Sequence, residues 1–376
     1  MKALILTVST GEGHNSAAKA IETALIQKGV ECEKLDVYYY VNKFLGFTIS
    51  YGYLLSIDAM SAGYASLYNH LEKRKPNSSK LSPTAAVFGL VASKLCDYVK
   101  NFDPDVIIST HIFAAIPVEI LKSKYNVRAR SIGIVTDYTV HPYWEDVKTM
   151  DHIVLPTADL GWQCEKKGLA TDKQLAFGIP LREDFSKYTD KAEARRRLGL
   201  LDDKPVIMVM GGSMGFGDLC ENVEQIDKVN KCFQVVVVCG ANETAYKKIS
   251  ACKYRHKVLA LGYTNEIPLI MDASDCIVTK PGGITVSEAL AKNLPLILTK
   301  PIPGHEERNK SFLINSGVAM GVSEKASLQE LVWLFFSDND RRRCMTEAVK
   351  RMGHADSSEV LANFVVEIDG SVRCEQ

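Results

Sequence analysis

Residues 7–21 read TVSTGEGHNSAAKAI and place one histidine, His14, directly after the glycines Gly11 and Gly13. An imidazole titrates near neutral pH and can take a proton from a hydroxyl. Asp137, in SIGIVTDYTVHPYW, is the second candidate, a carboxylate able to act as base or to orient the imidazole. Both follow apolar runs with the character of buried parallel strands. Both therefore belong at the carboxyl end of a sheet, where α/β folds bind ligands. His14 has a plainer alternative, a first-turn helix residue bonded to a nearby backbone carbonyl. His111, in STHIFAA, also follows a strand and reads as packing in a strand-to-helix turn.

The first glycine turn is only a partial dinucleotide fingerprint. It lacks a third glycine, although Asp36 ends the second strand where such a fold holds a ribose. A tight turn without ligand explains it as well. In MGGSMGFG (210–217), Gly211, Gly212 and Gly215 surround Ser213, whose hydroxyl can donate to a phosphate. No G-K-[ST] follows, so this turn suits a nucleoside diphosphate held without a Walker lysine. TKPGGITVSEALAKNLPLILTKPIPGHEERN (279–309) turns at Pro281, Gly282 and Gly283 and enters a helix with Thr285 and Ser287 in its first turn. Glu288 is expected to face out of that turn, where a carboxylate can accept both ribose hydroxyls; helix-dipole stabilisation is the simpler role. PIPGHEERN reads as a rigid loop offering His305, Glu306, Glu307 and Asn309 to sugar hydroxyls. No DxD motif stands at a strand end, and no metal is expected.

These residues need a scaffold that alternates strand and helix. ALILTV (3–8) is a buried strand, a helix over 15–28 ends at Gly29, and VECEKLDVY is strand two. PDVIIST (104–110), RSIGIVTD (130–137) and DHIVLPT (151–157) continue the pattern, with a helix through PVEILKSKY. The polar stretch 185–204 reads as a linker. The pattern then restarts with VIMVM, FQVVVVCG, KVLALGY, DCIVTK and PLILTKP. The expectation is two Rossmann-like α/β domains, 1–185 and 186–376, with a last helix able to cross back. Residues 38–75 stand apart. They are rich in Tyr and Phe, including Tyr51 and Tyr53, and end in Lys73, Arg74 and Lys75. One reading is a lipid-touching insertion, the other an ordinary helical hairpin with a solvated end.

Composition narrows the classes. The 376 residues carry 45 basic and 45 acidic side chains, so no global charge pulls the chain toward nucleic acid. The ten cysteines form no C-x-x-C pair, which argues against a zinc site or a disulfide framework and for reduced cytosolic thiols. The N-terminal apolar run is too short for a signal peptide, and no stretch approaches ~20 uninterrupted apolar residues. Oligomeric state is not legible.

GEGHNSAAKAI, TDYTVHPYW, GIPLRE, GGSMG and TKPGGITVSEAL…LPLIL…PGHEERN occur in that order over nearly the whole chain. Together they resemble the monogalactosyl- and monoglucosyl-diacylglycerol synthases, membrane-associated GT-B glycosyltransferases more distantly similar to the lipid I N-acetylglucosaminyltransferase. The resemblance implies a GT-B fold with two doubly wound domains facing an interdomain cleft, a UDP-sugar donor on the C-terminal domain, a lipid acceptor against the N-terminal domain, and inversion at the anomeric carbon. It implies donor contacts from Gly212, Ser213, Gly283, Ile284, Thr285 and Glu288, uracil near Tyr263, and the sugar near His305 and Glu306. Arg182, in GIPLRE, is a candidate charge for the donor. Gly13, Tyr51, Tyr53 and Trp144, with His141, would serve the acceptor and membrane side. The chain reads Pro-Gly-His-Glu where the family commonly has Pro-Gly-Gln-Glu, which leaves the transferred sugar open. The implied partners are a UDP-sugar, a lipid and the inner membrane surface, with no cofactor. Three other readings stand beside this one: transfer of N-acetylhexosamine to a polyprenyl-linked precursor, a nicotinamide dehydrogenase, and a non-catalytic UDP-sugar sensor.

Overall fold

Two six-stranded, all-parallel sheets organise the chain in the computed structural model, which describes residues 1–9, 12–43, 46, 83–212, 214, 215 and 217–374. The chain divides into two units, Met1–Glu183 with Pro303–His305 and Asp356–Gln376, and Asp184–Ile302 with Glu306–Ala355.

In the first unit the sheet order is β2-β1-β3-β4-β5-β6. Its strands are β1 (Lys2–Thr7), β2 (Glu31–Asp36), β3 (Val106–Ser109), β4 (Arg130–Ile134), β5 (His152–Val154) and β6 (Gln174–Leu175). The helices between them are α1 (Glu12–Gln27), α2 (Val37–Val41), α3 (Pro83–Phe102), α4 (Ile112–Tyr125) and α5 (Gly161–Lys166). The central strands are apolar throughout, as strands covered on both faces must be: Ala3, Leu4, Ile5 and Leu6 are fully buried. Ala18, Ile21 and Leu25 of α1 pack on one face with Ile5, Ile108 and Ile132. The last helix, α14 (Ser357–Cys374), completes that layer with Leu361, Ala362 and Val365. Ser357 Oγ and Ser358 Oγ anchor its start on the carbonyls of Ile179 and Leu181.

The second unit runs α6 (Lys191–Arg197), β7 (Val206–Met210), α7 (Leu219–Asp227), β8 (Gln234–Val238), α8 (Glu243–Ala251), β9 (Lys257–Leu261), α9 (Ile267–Ala273), β10 (Cys276–Thr279), α10 (Gly283–Ala291), β11 (Leu296–Leu298), α11 (His305–Asn315), β12 (Ala319–Gly321), α12 (Leu328–Ser337) and α13 (Asn339–Met352). Its sheet order is β12-β11-β10-β7-β8-β9. β7 and β10 are neighbours in register, Met210 opposite Thr279, although ~70 residues separate them. The chain returns from β9 to the other side of β7, the kind of reversal in strand order beside which open α/β sheets bind ligands.

Three expectations are corrected by packing. Residues 185–204 are not a linker: Phe185 is buried, and Arg195 on α6 donates to the carbonyls of Ala273 and Asp202 while pairing with Asp275 at 2.7 Å. Strand two stops at Asp36, because that carboxylate caps α2 by accepting from the N–H groups of Tyr38 and Tyr39, both at 3.0 Å. It also accepts from Ser9 N–H at 2.8 Å, so it serves the backbone instead of a ribose. The helix after β1 begins at Glu12, which brings His14 inside its first turn. The described cysteines are free thiols, and burial pushes that of Cys164 up to about 12, which keeps it protonated.

Leu361 tests the docking of the last helix. Leu361→Ala should destabilise the first unit by about 2–5 kcal/mol, the cost of a methyl-lined cavity in a closed core. Urea unfolding followed by fluorescence measures it; a change under ~0.5 kcal/mol would show that α14 contributes no core.

Candidate active site

The first unit gathers its polar groups at the carboxyl ends of three neighbouring strands: His14 after β1, Thr110 and His111 after β3, and Thr136 and Asp137 after β4. His14 Nδ1 lies 3.0 Å from the carbonyl oxygen of Thr110 and 3.2 Å from Thr136 Oγ1. A carbonyl can only accept, so Nδ1 carries the ring proton and Nε2 keeps its lone pair. The imidazole is therefore in the tautomer a general base requires. Burial lowers its pKa, against the opposing influence of the Asp137 carboxylate and the Thr110 carbonyl. Asp137 thus stands within electrostatic reach of His14.

His111 does more than fill a turn. Its Nδ1 accepts the N–H of Phe113 at 3.0 Å and so caps α4, and its ring meets His14 edge-on, with centroids 4.4 Å apart. Desolvation, then the neighbouring His14, hold its pKa well below the ordinary value. Phe113 leads onward to Phe88, His141 and Tyr143, with ring centroids 5.7–6.1 Å from it. His141 caps the short turn that begins at Pro142 by accepting from Tyr143 N–H. Sequence reasoning missed Thr136 and Phe113. The strand-end position of Thr136 was the available signal, and no local pattern marks Phe113.

In the second unit, the turn after β7 and the turn after β10 lie side by side. Gly212 adopts a φ of +76° and Gly215 one of +64°, conformations open to glycine. A Cβ on Gly215 would sit 2.0 Å from the carbonyl oxygen of Cys239, so no side chain fits there. Gly282 is the N-cap of α10 and has no side chain with which to cap it. The first N–H groups of α10, on Gly283, Ile284 and Thr285, thus receive no side-chain cap from Gly282. Tyr263, beyond the end of β9, is 73% exposed.

Several assigned side chains are engaged elsewhere. Glu288 is buried, not turned outward, because its position on α10 lies on the face that packs inward with Val286 and Ala289. PIPGHEERN is a loop only as far as Gly304; His305 opens α11. Glu306 is 2% exposed and accepts from Lys280 Nζ at 2.7 Å and from Ile302 N–H at 2.8 Å, so it braces the turn before α10. One helical turn on, buried Asn309 donates to the carbonyl of Pro281 at 3.0 Å. Trp144, expected on the acceptor side, is a buried residue. It is buried against β4, where a Cβ on Gly133 would approach its ring to 2.7 Å. Arg182 is half-buried near the end of the first unit, and Gly13 sits in the first turn of α1. Ser213, Tyr51, Tyr53 and the rest of the aromatic-basic stretch beyond 46 lie outside the described residues. Among the described residues, no helix is long and apolar enough to cross a membrane, and no group of three His, Cys, Asp or Glu side chains could hold a metal ion.

Comparison with known proteins places this geometry. Residues 14–181 match the monogalactosyldiacylglycerol (MGDG) synthase family, and residues 206–361 match the glycosyltransferase family 28 C-terminal domain. MurG of Acinetobacter baumannii shares the fold, with a TM-score of 0.65 at 12% identity over 97% of this chain and 99% of its own. Fold and family matches together define a glycosyltransferase of GT-B architecture. The chain is similar to MGDG synthases and processive diacylglycerol beta-glucosyltransferases, with each family match lying in a different half of the chain. It is 29% identical to the processive diacylglycerol beta-glucosyltransferase of Bacillus subtilis strain 168, over 97% of this chain and 94% of that protein. It is 27% identical to monogalactosyldiacylglycerol synthase 1 of Arabidopsis thaliana, over 94% of this chain and 70% of that protein.

The two histidines make a signed prediction. Their folded pKa values lie below the ordinary value of about 6.5, so the unfolded chain takes up protons that the folded chain refuses. Stability should be level above about pH 6.5 and fall as pH drops below it. His111→Asn keeps a capping side chain and removes one of the groups. Urea midpoints at pH 7.5 and 5.5 should therefore differ less in the variant; an equal difference would place the acid sensitivity elsewhere.

Proposed function

We propose that this protein is an inverting glycosyltransferase that moves a hexose, glucose or galactose, from a UDP-sugar to diacylglycerol or a related glycolipid at the cytosolic membrane face. The observation that carries the reading is the His14 imidazole, held with Nε2 unprotonated at the carboxyl ends of β1, β3 and β4. The substrate class is taken from the relatives, a processive diacylglycerol beta-glucosyltransferase and a monogalactosyldiacylglycerol synthase.

In this mechanism His14 Nε2 takes the proton of the acceptor hydroxyl as its oxygen attacks the anomeric carbon. The bond from that carbon to the β-phosphate oxygen breaks on the opposite face, and UDP leaves with the electron pair. Asp137 favours the imidazolium that forms, which is the direction in which its charge already acts on the ring. The uncapped start of α10 and the glycine turn after β7 receive the diphosphate through backbone N–H groups, so no bound metal is required of the protein. Tyr263 is free to meet the base, and Thr285 the phosphates or ribose. The rings of Phe88, Phe113 and Tyr143 offer an apolar approach suited to an acyl-bearing acceptor.

Purified protein, diacylglycerol vesicles and a panel of UDP-sugars, read by mass spectrometry, test the proposal. Glycosyl-diacylglycerol and UDP are expected from UDP-glucose or UDP-galactose, and no product from any donor would reject it. His14→Asn should lower turnover by roughly 10²–10⁴-fold while leaving UDP affinity unchanged. UDP at 100 times its Kd should stabilise the fold by about 2.7 kcal/mol, read as a rise in Tm; an unmoved Tm would remove the donor site.

A further inference from the structure

MGGSMGFG lacks the lysine that follows a P-loop, yet a lysine reaches it from the neighbouring strand. Lys280 leaves the end of β10 one residue after Thr279, which is paired with Met210 at the end of β7. A Cβ placed on Gly212 would lie 3.8 Å from Lys280 Cε. One placed on Gly282 would lie 3.9 Å from Cε and 4.0 Å from Nζ. The side chain thus spans the gap between the two glycine turns and ends beside the start of α10. It is 22% exposed, whereas its partner Glu306 is 2% exposed.

Resting on the reading that the second unit holds a nucleoside diphosphate, we propose that Lys280 is a donor-binding residue whose ammonium contacts the diphosphate and neutralises charge as the bond to the sugar breaks. Glu306 is its positioning residue. The chemistry fits. An ammonium has three N–H donors, and Glu306 takes one at 2.7 Å. The second carboxylate oxygen of Glu306 is occupied by the N–H of Ile302 at 2.8 Å, and the first, which a Cβ on Gly282 would approach to 3.6 Å, is the one neutralised by the ammonium. Asn309, one turn further along α11, holds the Pro281 carbonyl and fixes the same turn. The arrangement supplies the charge of a P-loop lysine from a different strand, with the glycine backbone left to approach the phosphates.

Charge contact and mere bracing predict different things. Uridine shares the nucleoside of UDP and lacks its phosphates. Titration calorimetry or ligand-observed NMR should show Lys280→Met weakening UDP by ~10- to 100-fold, the loss expected for a charge-assisted hydrogen bond, with uridine within about twofold of wild type. Lys280→Arg should recover most of the UDP affinity. Equal weakening of UDP and uridine would mean that the lysine only braces the turn, and unchanged UDP affinity would mean that it does not touch the phosphates; either result overturns the inference. If Lys280→Met does not fold, Lys280→Gln, which keeps a donor for Glu306, reads the same comparison. A wild type that binds no UDP overturns the donor reading itself, and this inference with it.

Discussion

The carbonyl of Thr110 can only accept a hydrogen bond, and His14 donates its Nδ1 proton to it. The rest of the first unit makes that one contact possible. Thr110 N–H bonds to the carbonyl of Leu6 at 2.9 Å, so the chain beyond β3 stays in register with β1. α1 must begin at Glu12 for His14 to fall in its first turn, and His111 must cap α4 for the Thr110 peptide to point back at the ring. A reactive lone pair on Nε2 is the consequence. The surrounding burial that keeps the ring neutral is the same burial that closes the core beneath it.

The second unit is organised by a similar device. Two strand ends are brought together by pairing between β7 and β10, and each ends in a turn whose backbone is left bare by glycine. α11 then reaches back with Glu306 and Asn309 to hold the second turn. These two side chains look like ligand contacts in a linear reading because polar residues cluster there. In three dimensions they face inward at i and i+3 on one helix, and their partners are a lysine and a carbonyl of the protein.

Fold class and strand order of appearance were legible because buried parallel strands are short apolar runs, and their alternation with helices admits few topologies. The glycine turns were legible because positive φ at Gly212 and Gly215 demands that residue. Side-chain surroundings were not legible. Trp144, Glu288, Glu306 and Asp36 were read by type and local position, and neither the burial of the first three nor the hydrogen bonds of Glu306 and Asp36 is revealed by that.

What the sequence by itself determined is therefore the set of parts: two Rossmann-like units, a histidine just after the first strand, two glycine turns, and an ordered set of motifs similar to those of known glycosyltransferases. Tertiary structure decided the states of those parts. The proton on His14 sits on Nδ1 because residue 110 ends a neighbouring strand, and Lys280 reaches the glycine turn because β10 lies beside β7. Both depend on which strands become neighbours. That is settled by crossover handedness and the burial of whole faces, quantities that no short stretch of residues carries alone.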